Sequence, residues 1–134
     1  MKKKKILIVC ATYYLDISDR LKKDAEEALN NKFSVKTINV PGVFEIPVTI
    51  AKNIKKFDGI VALGCVIKGE TPHFDFISKT TFEGLMKLSI ENKKPVGNGI
   101  ITALNSSQAE QRSFGDKAKG FEAANAVKSV LTQK

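Results

Sequence analysis

The stretch Gly59-Ile60-Val61-Ala62-Leu63-Gly64-Cys65-Val66-Ile67 decides how the rest of the chain is read. Its apolar run is unbroken and rich in branched residues, which suits a parallel strand buried on both faces. Parallel strands need crossover connections, usually helices, so helical segments are expected on either side of it. Upstream, Ile6 to Ala11 is a second short apolar run and reads as another central strand. Ile17 to Leu29 follows helical spacing, with Ile17, Leu21, Ala25 and Leu29 on one stripe and Lys22, Lys23, Glu26 and Glu27 on the other. Asp16 or Ser18 is the expected cap of that helix, and Asn30-Asn31 its end. Phe33 to Ile38 alternates apolar and polar, as a strand with one exposed face does at a sheet edge.

Val40-Pro41-Gly42 is a turn. Val43 to Lys55 reads as one helix, with Pro47 in its first turn. After the central run, Lys68 to Pro72 is a loop and His73 to Glu91 a helix. Pro95 to Thr102 is a last strand, Ser106 or Ser107 caps a short helix to about Arg112, and Phe121 to Leu131 is the final helix, preceded by a break between Gly115 and Gly120. Strands alternate with helices throughout, so the class is α/β, with a mostly parallel sheet and helices on both faces. One domain over residues 1–134 is expected, since domains cluster at this length.

Composition narrows the function. The 134 residues carry 22 Lys plus Arg against 14 Asp plus Glu, a net charge of +8. Only Lys2 to Lys5 form a dense run, and the other lysines are mixed with acids on helical segments, so a solvated basic surface that draws in anionic substrates is favoured over a nucleic-acid surface. No apolar run reaches the ~20 residues of a membrane span. The basic start before Ile6 could open a signal peptide, but Tyr13, Tyr14 and Asp16 follow at once. The two cysteines, Cys10 and Cys65, both lie in apolar runs and suggest a reducing, cytoplasmic setting. With one histidine, a protein-ligated zinc site is not expected.

In a parallel α/β sheet, ligands bind beyond the carboxyl ends of the strands. The loops to inspect are therefore Thr12 to Asp16, Asn39 to Glu45, Lys68 to His73 and Thr102 to Ser107. His73 sits just past the most apolar strand, and an imidazole, with an unperturbed pKa of ~6.5, suits proton transfer. A helix-entry residue bonded to backbone is its other reading. Lys68-Gly69-Glu70-Thr71 could cradle an oxyanion on amides leading into a helix, or be an ordinary turn. Phe44-Glu45 offers a stacking face and a carboxylate, or a core ring and a first-turn acid. Tyr13 and Tyr14 could stack on a planar ligand or cover the sheet end. Arg112 and Lys119 could reach an anion across an interface, or be surface charge. Dinucleotide, nucleophile-elbow and Cys-x-x-Cys motifs are absent.

Two blocks, Val40-Pro41-Gly42-Val43-Phe44-Glu45-Ile46-Pro47 and Ala62-Leu63-Gly64-Cys65-Val66-Ile67-Lys68-Gly69-Glu70-Thr71-Pro72-His73-Phe74-Asp75, stand in order with Pro95-Val96, Gly99 to Thr102, Gln108-Ala109, Arg112 and Lys119-Gly120 behind them. This combination resembles the 6,7-dimethyl-8-ribityllumazine synthase family over about Ile6 to Leu131. The resemblance implies a flavodoxin-like three-layer sandwich with a four-stranded parallel sheet of order 2-1-3-4. It implies condensation of 5-amino-6-(D-ribitylamino)uracil with 3,4-dihydroxy-2-butanone 4-phosphate, without a cofactor or metal. By the same resemblance, Tyr13 stacks on the pyrimidine; Val43, Phe44 and Glu45 line the pyrimidine and ribityl site; and Val66, Ile67 and Lys68 form the strand end beside it. Gly69, Glu70, Thr71 and Arg112 hold phosphate, His73 transfers protons, and Lys119 lies near the pyrimidine, with Arg112 and Lys119 supplied by a neighbouring subunit. A homopentamer is implied, with a closed icosahedral shell of pentamers left open, as is association with riboflavin synthase. The chain departs from the frequent pattern at Tyr13-Tyr14 (commonly Phe-Asn), at Asn98 (commonly aromatic, so any substrate contact there is polar) and at Leu104 (commonly an acid). Ser113 to Lys119 is slightly shorter than the frequent form, which leaves Lys117 as the alternative to Lys119.

Overall fold

A computed structural model describes residues 2–115 and 118–133. The elements in chain order are β1 (Lys4–Ala11), α1 (Leu15–Leu29), β2 (Phe33–Val40), a 3-10 turn (Val43–Glu45), α2 (Ile46–Asn53), a second 3-10 turn (Ile54–Lys56), β3 (Gly59–Ile67), α3 (His73–Asn92), β4 (Val96–Ala103), α4 (Ser106–Ser113) and α5 (Lys119–Leu131). The strands form one parallel sheet of order β2-β1-β3-β4. This is the order and class expected, and β2 is the edge strand that its alternation suggested.

The continuous apolar runs hide a period of two. Ile6, Ile8, Cys10, Val61, Leu63 and Cys65 face one side, where Ile17, Leu21 and Ala25 of α1 and Ala123, Ala124 and Val127 of α5 complete the core. Leu7, Val9, Ile60, Ala62 and Val66 face the other, against Ile46 and Ile50 of α2 and Leu85 of α3. Burying both faces is what makes β1 and β3 read as unbroken hydrophobic segments.

Element limits differ from the sequence reading where hydrogen bonding adds residues. β1 begins at Lys4 and β2 runs on to Val40, because the ladder pairs Lys4 with Phe33 and Ala11 with Val40. α1 starts at Leu15, so Asp16 and Ser18 are not its caps. The Tyr14 carbonyl already accepts from the Ser18 amide at 2.9 Å, and the Ser18 hydroxyl donates back to the Leu15 carbonyl at 3.0 Å. The expected single helix from Val43 to Lys55 is instead α2 between two 3-10 turns. The cap of α4 is Asn105 rather than Ser106 or Ser107: its Oδ1 accepts from the Gln108 amide at 2.9 Å while Gln108 Oε1 accepts from the Leu104 amide at 2.8 Å. α3 ends through Lys93 in the left-handed region, at φ 53°.

Gly120 was expected to lie in a break before the last helix. It lies inside α5, because α5 packs so closely on α1 that a Cβ there would press on the Leu21 carbonyl oxygen and sit 3.1 Å from the Asp24 Cβ. Gly97 serves the same purpose between β4 and the Ala123 backbone. No described helix is long and apolar enough to cross a membrane.

Gly120→Ala should cost about 1–3 kcal/mol of stability, despite alanine's better helix propensity, because the obstacle is backbone that cannot rotate away. Urea denaturation checks this; an unchanged or raised midpoint would contradict the close packing of α5 on α1.

Candidate functional site

The carboxyl ends of β1, β2 and β3 open into a cleft of about 570 Å³, within the usual size range of small-molecule sites. Its walls come from separate connections. Tyr13 and Tyr14 arrive from the β1–α1 loop; Gly42, Val43 and Phe44 from the turn after β2; Cys65, Val66 and Ile67 from the end of β3; and His73 and Ile77 from the first turns of α3.

Each loop is short because the adjoining ladder runs to the rim. The Thr12 amide still bonds the Val40 carbonyl at 2.9 Å, so only Tyr13 and Tyr14 remain to turn the chain into α1. Their rings meet edge to face, with centroids 5.0 Å apart and planes at 79°. Tyr13 is 76% exposed, whereas Tyr14 packs against the core under α1. Phe44 is 63% exposed, which excludes the reading of it as a core ring. Glu45 retains part of its structural reading: Oε1 accepts from the Gly42 amide at 3.0 Å and ties the turn. The rest of Glu45 faces an adjoining groove of about 400 Å³, shared with Phe44, Pro47 and Thr81.

His73 opens α3 with its amide at a long 3.4 Å from the Thr71 hydroxyl. Its imidazole makes no hydrogen bond among the described residues and lines the cleft, so the backbone-bonded helix-entry reading does not describe it. The Lys68 amide continues the β3–β4 ladder to the Ala103 carbonyl at 2.9 Å. Beyond it Gly69, Glu70 and Thr71 are exposed and do not form the cleft wall, and a Cβ at Gly69 would touch nothing within 4 Å. Packing therefore does not require glycine there.

The chain thus brings together Tyr13, Val43, Phe44, Val66, Ile67 and His73 of the expected residues. It does not bring Arg112, Lys119 or Asn98 to its own cleft. Arg112 is exposed on α4, with Nη1 3.4 Å from the Thr102 carbonyl. The end of α4 is pinned to α1 by Arg20, which donates to the Ser113 hydroxyl at 3.2 Å and lies 5.2 Å over the Phe114 ring. Lys119 bonds Glu122 at 3.1 Å. Asn98 is exposed midway along β4, opposite Ala62, with its Oδ1 accepting from the Ile100 amide at 3.0 Å. Lys117 falls outside the described residues.

Gly42, Cys65 and Ile77 line the cleft although the sequence reading assigned them no role, and so does Tyr14, whose two readings were stacking on a planar ligand and covering the sheet end. Ile77 was discoverable, lying one helical turn after His73. Cys65 was not, since a buried strand cysteine looks the same whether or not a cleft opens above it. Burial pushes the Cys65 thiol up to about 11, and Cys10 likewise. Burial, with smaller contributions from Cys65 and Tyr13, raises the Tyr14 phenol as well. Among the described residues no group of His, Cys, Asp or Glu could hold a metal ion.

The thiol shifts give a signed expectation. In the unfolded chain these thiols titrate near 9.0, and in the folded chain at about 11. Above pH 9 the unfolded state therefore binds fewer protons than the folded state, and stability must fall as pH rises from 9 towards 11. Denaturant titrations across that window should show the fall, and Cys65→Ala should flatten part of it; an equally steep fall in the variant would contradict the burial of this thiol.

A family model described as 6,7-dimethyl-8-ribityllumazine synthase matches residues 3–134. Among similar proteins, the 6,7-dimethyl-8-ribityllumazine synthase of Bartonella tribocorum is 44% identical over 138 aligned positions, covering 99% of this chain and 91% of that protein. The one from Corynebacterium kroppenstedtii is 41% identical, covering 95% of this chain and 80% of its own length. The one from Agrobacterium fabrum is also 41% identical, covering 100% and 97% respectively.

Proposed function

The chain belongs to the 6,7-dimethyl-8-ribityllumazine synthase family, and from that membership we propose how its cleft carries out the family's reaction. It is a transferase of riboflavin biosynthesis that condenses 5-amino-6-(D-ribitylamino)uracil with 3,4-dihydroxy-2-butanone 4-phosphate and releases phosphate and water. The observation that carries the residue assignment is the meeting of His73 with two exposed aromatic faces, Tyr13 and Phe44, at the end of β3.

In this reading the pyrimidine lies against Tyr13 beside Val66, Ile67 and Lys68, with Val43 and Phe44 opposite. The Glu45 oxygen not used by the Gly42 amide accepts ribityl hydroxyls. The 5-amino group attacks the ketone carbonyl and water leaves to give an imine; phosphate is eliminated to leave an enol that becomes a new carbonyl; and the ribitylamino nitrogen adds to that carbonyl and closes the ring as a second water leaves. Each step moves protons, and His73 shuttles them, its imidazole being free of protein partners among the described residues. Holding both substrates in one orientation supplies much of the acceleration, so few catalytic groups suffice. Gly69, Glu70 and Thr71 receive the phosphate, and Arg112 pairs with it bidentately.

Arg112 and Lys119 lie away from their own cleft, which supports a site completed by a neighbouring subunit, and the reading takes the assembly to be the homopentamer that the family resemblance implies. A closed icosahedral shell of such pentamers is compatible with this reading. The reading also takes residues 1–134 as one domain, the buried free thiols as the mark of a cytoplasmic enzyme, and riboflavin synthase, which consumes the product, as an associating partner. The spread of lysines over helical segments supports small anionic substrates rather than nucleic acid as the partners of the positive charge.

Mixing the protein with both substrates and following lumazine absorbance and fluorescence should show clear acceleration over the slow uncatalysed reaction. His73→Ala should lower turnover by roughly a hundredfold with unchanged melting temperature; unchanged turnover would remove its role. Arg112→Ala should raise KM for the phosphate substrate by about ten- to a hundredfold. A rise confined to the pyrimidine would contradict that assignment.

A further inference from the structure

The exposed Tyr13 ring has a problem that its proposed role does not solve. A ring that stacks on a substrate must be held still, or binding must pay for ordering it. In the single subunit Tyr13 is 76% exposed and makes no hydrogen bond through its side chain among the described residues. Its aromatic neighbour among the described residues is Tyr14, edge to face at 5.0 Å and 79°. Tyr14 can serve as a fixed reference because its own position is set from three directions. Its backbone is the cap residue of α1, its carbonyl accepts from the Ser18 amide at 2.9 Å, and its ring packs against the core under α1.

We propose that Tyr14 is a positioning residue, whose core-anchored ring holds the Tyr13 ring in one orientation as the stacking face for the planar pyrimidine substrate. The positive edge of one ring against the face of the other favours this perpendicular arrangement over a sliding one. Tyr14 stays a neutral phenol at working pH, since burial disfavours its ionised form, so the pair is not disturbed by a charge. Where Tyr14 goes, the preferred orientation of Tyr13 goes with it, and the loss is felt by the substrate that stacks. The phosphate substrate, which has no planar ring, is unaffected.

This inference rests on the assignment of Tyr13 as the pyrimidine face, and the test separates the two. KM for each substrate, kcat and melting temperature would be measured for the wild-type protein, Tyr14→Leu, Tyr14→Phe, Tyr13→Ala and the double variant Tyr13→Ala/Tyr14→Leu, with Tyr14→Met as a second ring-free variant should the leucine fail to fold. Expected are an about three- to tenfold rise in pyrimidine KM for the ring-free variants, an unchanged KM for the phosphate substrate, and recovery in Tyr14→Phe. In the double variant the loss should equal that of Tyr13→Ala alone, because Tyr14 acts only through Tyr13. Additive losses, an unchanged pyrimidine KM without the ring, or a phenylalanine variant as impaired as the leucine would each overturn the proposal. If Tyr13→Ala itself leaves pyrimidine KM unchanged, the stacking assignment falls and this inference with it. If Tyr13→Ala raises KM and the Tyr14 variants do not, only this inference falls.

Discussion

The constraint on which the rest depends is that β3 can touch water on neither face. Eight of its residues, Gly59 to Val66, are buried, and their side chains point alternately to opposite sides. A strand so placed must be covered twice, by α1 and α5 on one face and by α2 and α3 on the other, and it must have β1 and β4 as hydrogen-bonded neighbours. Parallel pairing forces every return of the chain through a helix. The element order is therefore a consequence of burying this one segment rather than an independent choice. The tight seats of α5 on Gly97 and on α1 follow from the same demand, because a thin helix layer close to the sheet leaves no gap above Leu63 and Ile101.

The same constraint locates the chemistry. Helices that cover a parallel sheet all begin beyond the carboxyl ends of its strands, so the connections gather at one rim. The ladder bonds at Thr12 and Lys68 extend the rigid part of the sheet almost to the cleft, and only short loops are left to carry Tyr13, Phe44 and His73. Side chains held this way lose little freedom on binding, which suits a reaction helped mainly by holding two molecules together. The sheet rim supplies one wall group of the imidazole type and several apolar surfaces, and no Lys or Arg among the described residues lines the cleft. The α4 end that bears Arg112 is braced to α1 by Arg20 without reaching its own cleft.

What could be read from the sequence followed from burial. Gly59 to Ile67 came out residue for residue, because a doubly buried strand leaves an unmistakable apolar run, while the sheet order, which the family resemblance implied, also agreed. The ends of elements were less legible where hydrogen bonds, not hydrophobicity, set them. Lys4 and Lys5 join β1 through pairing with Phe33 and Ser34, and nothing about two lysines announces a strand. Gly120 looked like punctuation because glycine serves both in turns and at close helix contacts, and only the proximity of Leu21 distinguishes these. Tyr13, Phe44 and His73, singled out by their positions after strand ends, do line one cleft. Asn98 came from resemblance alone, and Arg112 and Lys119 from their charge and the resemblance, and a single subunit offers no geometry that gathers them.

The same burial that builds the sheet also acts on the titratable groups of the cleft walls. Four wall side chains can titrate: Tyr13, Tyr14, Cys65 and His73. Burial raises the thiol of buried Cys65 to about 11 and pushes the phenol of half-buried Tyr14 upward too, which favours the neutral form of both. An imidazole is the only one of these side-chain types that exchanges protons near neutrality. A thiolate in the same place would be a competing nucleophile towards the ketone substrate, and the core that buries Cys65 suppresses it. The packing that stabilises the sheet thus also quiets the cleft floor, while the His73 imidazole stands at the rim, outside the core.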